Sequence, residues 1–176
     1  MKIYFDAITA KNIKPNKSLS DTMKKIVVFS DSHSYPLPQS FLNVVNEADM
    51  TIFCGDGLSS LSDLMLKKNF YAVKGNCDFA AFDDELTLEV EGVKIFVTHG
   101  HKYSVKSSLL NLEYKAKEIG ANLVLFGHTH EPVEIQSDGI TLINSGSMSK
   151  NVFGERTYCY IVISDKKIIS KIVKIS

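Results

Sequence analysis

Apolar and polar residues fall in alternating blocks along this chain, and the period of each block predicts its structure. Lys24-Lys25-Ile26-Val27-Val28-Phe29 reads as a buried strand. Pro38 opens a helix running to Asp49, with Phe41, Leu42, Val45 and Ala48 along one face. A second strand, Met50 to Phe53, leads into Gly55-Asp56-Gly57. Helix signals cover Ser59 to Lys68, and a third strand covers Phe70 to Val73. This βαβαβ order predicts a parallel sheet covered by helices.

The second half has a different rhythm. Glu85–Val90 and Val93–Thr98 flank Glu91-Gly92 and read as a hairpin. Val105, Leu109, Leu112, Ala116 and Ile119 form an apolar stripe at helical spacing, and Leu123–Phe126 is another buried strand. Two further hairpins are expected, Pro132–Gln136 with Ile140–Ile143, and Tyr158–Ile163 with Ile168–Ile175. The expected fold is α/β, with two facing β-sheets flanked by helices.

Residues 1–23 stand apart. They read either as an appended strand or interface arm, or as a loosely held tail; Met23 could itself be a natural start. Their apolar stretch does not fit a signal-peptide core, which points away from secretion. Residues 24–176 are then one domain, as expected for 176 residues.

Charge and composition narrow the functional classes. Lys plus Arg and Asp plus Glu both total 20, so the formal net charge is zero. That argues against a general nucleic-acid or anionic-membrane binder. There is no run of about 18 apolar residues to span a bilayer. Cys54, Cys77 and Cys159 are unpatterned, against a disulfide framework or cysteine zinc site and for a cytoplasmic location.

The chemistry gathers just past the strands. All five histidines lie there, in Asp31-x-His33, His99-Gly100-His101 and His128-Thr129-His130. Gly55-Asp56 and Gly75-Asn76-Cys77-Asp78 follow two further strands. In an α/β sheet the carboxyl ends of the strands form the ligand crevice, so these clusters should converge. Two Asp, one Asn and four or five His exceed one tetrahedral ion's needs, and two ions sharing a carboxylate fit the count.

The order Asp-x-His, Gly-Asp, Gly-Asn-x-Asp, His-Gly-His, Gly-His-x-His resembles the calcineurin-like metallophosphoesterases. The short length and the Gly-Asn-Cys-Asp variant resemble the YfcE-like phosphodiesterases within them. The resemblance covers roughly residues 23–176 and implies a four-layer αββα sandwich. It also implies that Asp31, His33, Asp56 and His130 hold one divalent ion. Asp56, Asn76, His99 and His128 would hold a second, with Asp56 bridging. Nitrogen and oxygen ligands suit Mn²⁺, Fe, Co²⁺, Ni²⁺ or Zn²⁺, with Mn²⁺ favoured by the resemblance. Two such ions about 3.5–4 Å apart clamp a phosphoryl group and turn a bridging water into hydroxide. With two carboxylates and a hydroxide they leave a surplus of about one positive charge, which attracts an anionic ester.

Cys77 departs from the wider superfamily, where a histidine in this place is thought to protonate the leaving oxygen. The thiol is read either as a weak acid or as a space filler. Weak protonation would restrict the enzyme to easily departing groups, favouring activated diesters. Asp78 is expected to orient a ligand imidazole or to cap a turn, and His101 to face substrate or to partner a ligand imidazole. Asn144-Ser145-Gly146-Ser147 lacks the proline usual in the family's loop and is read as touching phosphate oxygens or a ligand histidine, or as a plain hairpin exit. Arg156, the only arginine, is read as a solvated surface side chain rather than a phosphate ligand, and the lysines of Lys166–Lys174 as edge protection.

The leading expectation is a metal-dependent phosphodiesterase acting on a small phosphate ester. The alternatives are a phosphomonoesterase or nucleotidase, and a protein-binding scaffold like the metallophosphoesterase-fold subunit of retromer. The apolar face of the last hairpin and the extension are candidate surfaces for a homo-oligomer.

Overall fold

The computed structural model describes residues 23–149 and 155–175. The expectation for the N-terminal extension lies outside them, except for Met23. Strand β1 (Met23–Phe29) is followed by α1 (Gln39–Glu47), β2 (Met50–Phe53), α2 (Ser62–Met65) and β3 (Phe70–Ala72). Then come β4 (Glu85–Val90), β5 (Val93–Thr98), α3 (Leu110–Ile119), β6 (Leu123–Phe126), β7 (Val133–Ser137), β8 (Ile140–Asn144), β9 (Arg156–Ser164) and β10 (Lys167–Ile175).

Two five-stranded sheets result, with orders β10-β9-β1-β2-β3 and β4-β5-β6-β8-β7. In the first, β1 pairs parallel with β2 and β2 with β3, as the βαβαβ pattern predicts. The last hairpin returns to this sheet, with β9 antiparallel to β1. The second sheet has a parallel centre, β5 to β6 and β6 to β8, between antiparallel edges.

Side-chain alternation along the central strands explains why there are four layers. Ile26 and Val28 pack with Ile95, Val97, Leu123, Leu125 and Ile143 between the sheets. Val27 and Phe29 face the other way, against Phe41 and Val45 of α1. On the far side, Leu112 and Ala116 of α3 cover Phe96, Val124 and Phe126. A strand covered on both faces reads as a largely apolar run, hence Ile26–Phe29 of β1, Ile52-Phe53 of β2 and Leu123–Phe126 of β6.

Two helix expectations are corrected. Ser59–Lys68 forms a one-turn 3-10 helix, Leu58–Ser60, and then the four-residue α2. Leu58, Leu61 and Leu64 are buried at a three-residue spacing, which suits tight turns better than a continuous α-helix. The stripe from Val105 also begins late. Ser104, at a left-handed φ of 55°, ends a 3-10 turn at His101–Tyr103, residues 104–107 continue as turns, and α3 starts at Leu110 with Ser108 Oγ accepting the Leu110 N–H. Val105 still joins the same apolar cluster.

Strand β10 is a sheet edge, and Lys167, Lys171 and Lys174 stand exposed along it, as expected of residues that block edge pairing. Among the described residues, no helix is long and apolar enough to cross a membrane.

Candidate metal centre

Strands β1, β2 and β3 run parallel, as do β5, β6 and β8, and the loop after each carries a polar cluster. Two contacts join the halves of the centre across the sheets. The His99 Nδ1–H, after β5, donates to the Cys54 carbonyl, after β2, at 2.7 Å. The His128 N–H, after β6, donates to Asp31 Oδ2, after β1, at 3.0 Å.

The seven expected ligands come together. His130 Nε2 lies 3.2 Å from Asp31 Oδ1, and His33 Nε2 lies 3.1 Å from His130 Nε2. His33 Nε2 is also 4.0 Å from Asp56 Oδ2. On the other side, His99 Nε2 is 3.3 Å from Asp56 Oδ2, 3.2 Å from Asn76 Oδ1 and 3.2 Å from His128 Nδ1. Three overlapping sets have their donor atoms within 4.8 Å of one another: Asp31–His33–His130, Asp31–Asp56–His99 and His33–Asp56–Cys77.

Local backbone strain holds this arrangement. Asp31, His33, Asp56, His128 and His130 all have positive φ, between 44° and 71°. Side chains other than glycine rarely adopt that region, and such residues cluster where a site over-determines their geometry. Gly57, at φ 133°, is confined further. A Cβ there would lie 2.1 Å from Ser32 Oγ and 2.8 Å from the His33 nitrogen. Gly57→Ala is therefore expected to lower stability by about 2 kcal/mol, read by denaturant unfolding. An unchanged midpoint would show that the loop relaxes freely.

Donor chemistry fits divalent cations. Asp31 is fully buried, and its Oδ1 has no hydrogen-bond partner although it faces His130. Burying a carboxylate oxygen without a partner is costly, and a cation removes that cost. Because His99 Nδ1 donates to a carbonyl, its Nε2 is the nitrogen left to face an ion. Burial works to raise the Asp56 pKa, but hydrogen bonds from His99 and from the Cys77 N–H hold it well below the usual carboxylate range. Burial works to lower the His99 pKa, yet its bond to Asp56 and the charges of Asp31 and Asp56 raise it. The 3.3 Å gap between His99 Nε2 and Asp56 Oδ2 is a place suited to a metal. Burial and then the neighbouring His99 push His128 down to about 4, leaving it neutral and fit to ligate.

The remaining residues take less expected places. Asp78 does not orient an imidazole. Its Oδ1 accepts the N–H groups of Gly57 and Leu58 at 2.9 Å, and its Oδ2 accepts those of Asp56 at 2.8 Å and Gly75 at 2.9 Å. It is a positioning residue that ties together the turns bearing Asp56 and Asn76. His101 lies beside the cluster, its ring 5.5 Å from that of His99 and 6.1 Å from that of His128. Its Nδ1 is buried without a partner. The Cys77 thiol is exposed, and some desolvation together with Asp56, Asp78 and Asp31 pushes its pKa up, so it is no activated thiolate in the metal-free protein.

Asn144 touches no ligand imidazole. Its Nδ2 donates to the Gly127 carbonyl at 2.8 Å and to Thr129 Oγ1 at 3.0 Å, and its Oδ1 accepts the Gly146 N–H at 2.9 Å. It thereby fixes the loop carrying His128 and His130. Arg156 is only partly exposed, unlike the solvated side chain expected. Its Nη1 donates to the Pro36 carbonyl at 3.4 Å, and its Nε is buried without a partner. The roles of Asp78 and Asn144 had no periodic signal, because these bonds join positions 2 to 22 residues apart across turns and intervening elements.

Relatives share this architecture and sequence. The calcineurin-like phosphoesterase superfamily domain matches residues 23–166. A probable metallophosphoesterase of Bacillus subtilis, YsnB, is 39% identical over 128 residues, covering 70% of this chain and 74% of its own. Phosphodiesterase MJ0936 of Methanocaldococcus jannaschii is 30% identical over 143 residues, covering 69% and 82%. Vacuolar protein sorting 29 from Cryptosporidium parvum superposes with a TM-score of 0.74 at 17% identity, covering 89% of this chain and 100% of that one, a likeness of fold alone. The polar cluster at the strand ends thus sits in a fold and a sequence that agree, and the chain belongs to the calcineurin-like phosphoesterase superfamily.

Proposed function

We propose that this protein is a dinuclear metal-dependent phosphodiesterase acting on small phosphate diesters. One observation carries the reading: seven side chains with nitrogen and oxygen donors come together from five loops, and one of them, Asp31, has a buried carboxylate oxygen that lacks a partner. Asp31, His33, Asp56 and His130 would hold one cation, and Asp56, Asn76, His99 and His128 the other. Bound there, divalent ions supply a water acidic enough to act as hydroxide near neutral pH and offset charge on the phosphoryl oxygens. Mn²⁺ leads the candidate ions, ahead of Fe, Co²⁺, Ni²⁺ and Zn²⁺.

The protein's own part is orientation and charge. His99 is locked by the Cys54 carbonyl and His128 by packing against His99, so neither ring must reorganise when substrate arrives. Asn76 is neutral where a carboxylate would cancel the positive surplus needed to attract an anionic ester. Cys77 supplies no imidazole to protonate a leaving oxygen, which favours diesters with good leaving groups. The phosphodiesterase name of the Methanocaldococcus relative supports the same preference. Free thiols at Cys54, Cys77 and Cys159 fit work in the reducing cytoplasm.

The test is hydrolysis of a chromogenic diester against its monoester, first in chelator and then with each metal restored. Diester turnover that returns with metal is expected. Absence of turnover with every metal would overturn the reading and favour a binding role for this fold. In the same assay, Cys77→His should accelerate esters with poor leaving groups most. Equal acceleration across leaving groups would count against a missing general acid.

A further inference from the structure

We propose that the Cys77 thiol is an additional, sulfur donor of the metal centre, engaged by thiophilic cations and left free by hard ones. A Zn²⁺ or Cd²⁺ ion held by His33 and Asp56 would bond Cys77 Sγ, whereas Mn²⁺ would not. The inference rests on the proposed function only in taking this cluster to be a cation site.

The geometry points to it directly. Cys77 Sγ, a ring nitrogen of His33 and a carboxylate oxygen of Asp56 lie within 4.8 Å of one another, a span that one ion can bridge after small side-chain rotations. The backbone is already anchored there, since the Cys77 N–H donates to Asp56 Oδ1 at 2.8 Å. Asn76 Nδ2 donates to Sγ at 3.3 Å, so the sulfur faces a neighbouring ligand of the centre. A second observation points to a cation beside these groups: Asp31 Oδ1, buried and without a partner, lies 3.9 Å from Nε2 of His33, a member of the Cys77 set. Cys77 is exposed while Cys54 and Cys159 are buried, so it alone of the three is accessible to ions from solvent.

Ligand softness makes the site selective. Thiolate binds Zn²⁺ and Cd²⁺ strongly and Mn²⁺ poorly, whereas the imidazole and carboxylate set serves all three. On binding, a sulfur–metal bond forms and the Sγ proton passes to solvent, with no change of oxidation state. The choice of ion would thereby decide whether the residue at the mouth of the centre is tied down.

The experiment uses the full chain with Cd²⁺ or Mn²⁺ as probe. Three readouts are taken: the near-ultraviolet thiolate-to-cadmium absorption, the rate of Cys77 alkylation by iodoacetamide followed by mass spectrometry, and Mn²⁺ binding by equilibrium dialysis. Cd²⁺ is expected to produce the band and to slow alkylation about tenfold or more, while Mn²⁺ leaves the rate within about twofold. The band should vanish in both Cys77→Ser and His33→Ala. Equal protection by both ions would indicate shielding and overturn the sulfur bond, and a band surviving in His33→Ala would overturn the shared site. If Mn²⁺ binds with no cadmium band, only this inference fails. If neither ion binds, the proposed function fails with it.

Discussion

Replacing Asp56 with asparagine is expected to lower kcat for a diester by about a thousandfold and to reduce bound metal from two ions per chain to one or none. Asp56 belongs to two of the three donor sets, and its Oδ2 lies between His99 at 3.3 Å and His33 at 4.0 Å. Asp31 also belongs to two sets, but Asp56 Oδ2 is the closer carboxylate oxygen to His99, and the proposed function assigns His33 and His99 to different ions. Losing a charge that holds them costs several kcal/mol of transition-state stabilisation, and about 4 kcal/mol is about a thousandfold. Asparagine keeps the shape, and its side-chain oxygen can still accept the Cys77 N–H now bound at 2.8 Å. The metal-free fold should therefore survive, which circular dichroism would check. Elemental analysis and diester kinetics decide the matter: wild-type occupancy with wild-type kcat would remove Asp56 from the bridging role.

Asp78→Ala is expected to lower stability by about 3 kcal/mol and the melting temperature by about 10 °C, with weaker metal binding as a consequence. Its carboxylate accepts four backbone N–H groups from two separate turns. Each bond to a charged acceptor contributes about 1.5–3 kcal/mol, but water can reach this partly exposed turn after truncation, so the total falls well below the sum. Asp78→Asn should fall between, since an amide retains one acceptor oxygen. Thermal unfolding in chelator separates this structural part from metal loss. Reduced activity at an unchanged melting temperature would restore the reading of Asp78 as a partner of a ligand imidazole.

Much of the fold was legible because most elements carry their own local signal. The apolar runs at Ile26–Phe29 and Leu123–Phe126, the Glu91-Gly92 and Ser137-Asp138-Gly139 turns, and the alternation in the last hairpin need no distant partner to be read. The helix at Ser59–Lys68 failed for the same reason in reverse. Its leucines match several periods, and the packing of Leu58, Leu61 and Leu64 against β2 and α1 chose tight turns.

The polar clusters could be placed because each follows a strand whose carboxyl end is identifiable, and the family resemblance singled out the seven expected ligands among them. Arg156, Asn144 and Asp78 were misread or left open because their partners are carbonyls and N–H groups of remote loops, which carry no residue-type signal.

By itself the sequence determined the elements, the alternation that makes strands two-faced, and the chemistry stationed at the strand ends. Tertiary structure alone decided that the final hairpin joins β1 rather than the second sheet, that Asp78 staples two turns, and that Cys77 comes near His33 and Asp56. The physical reason is range. Periodicity and turn chemistry act over a few residues, whereas sheet order and loop-to-loop hydrogen bonds depend on which surfaces meet once the chain has closed.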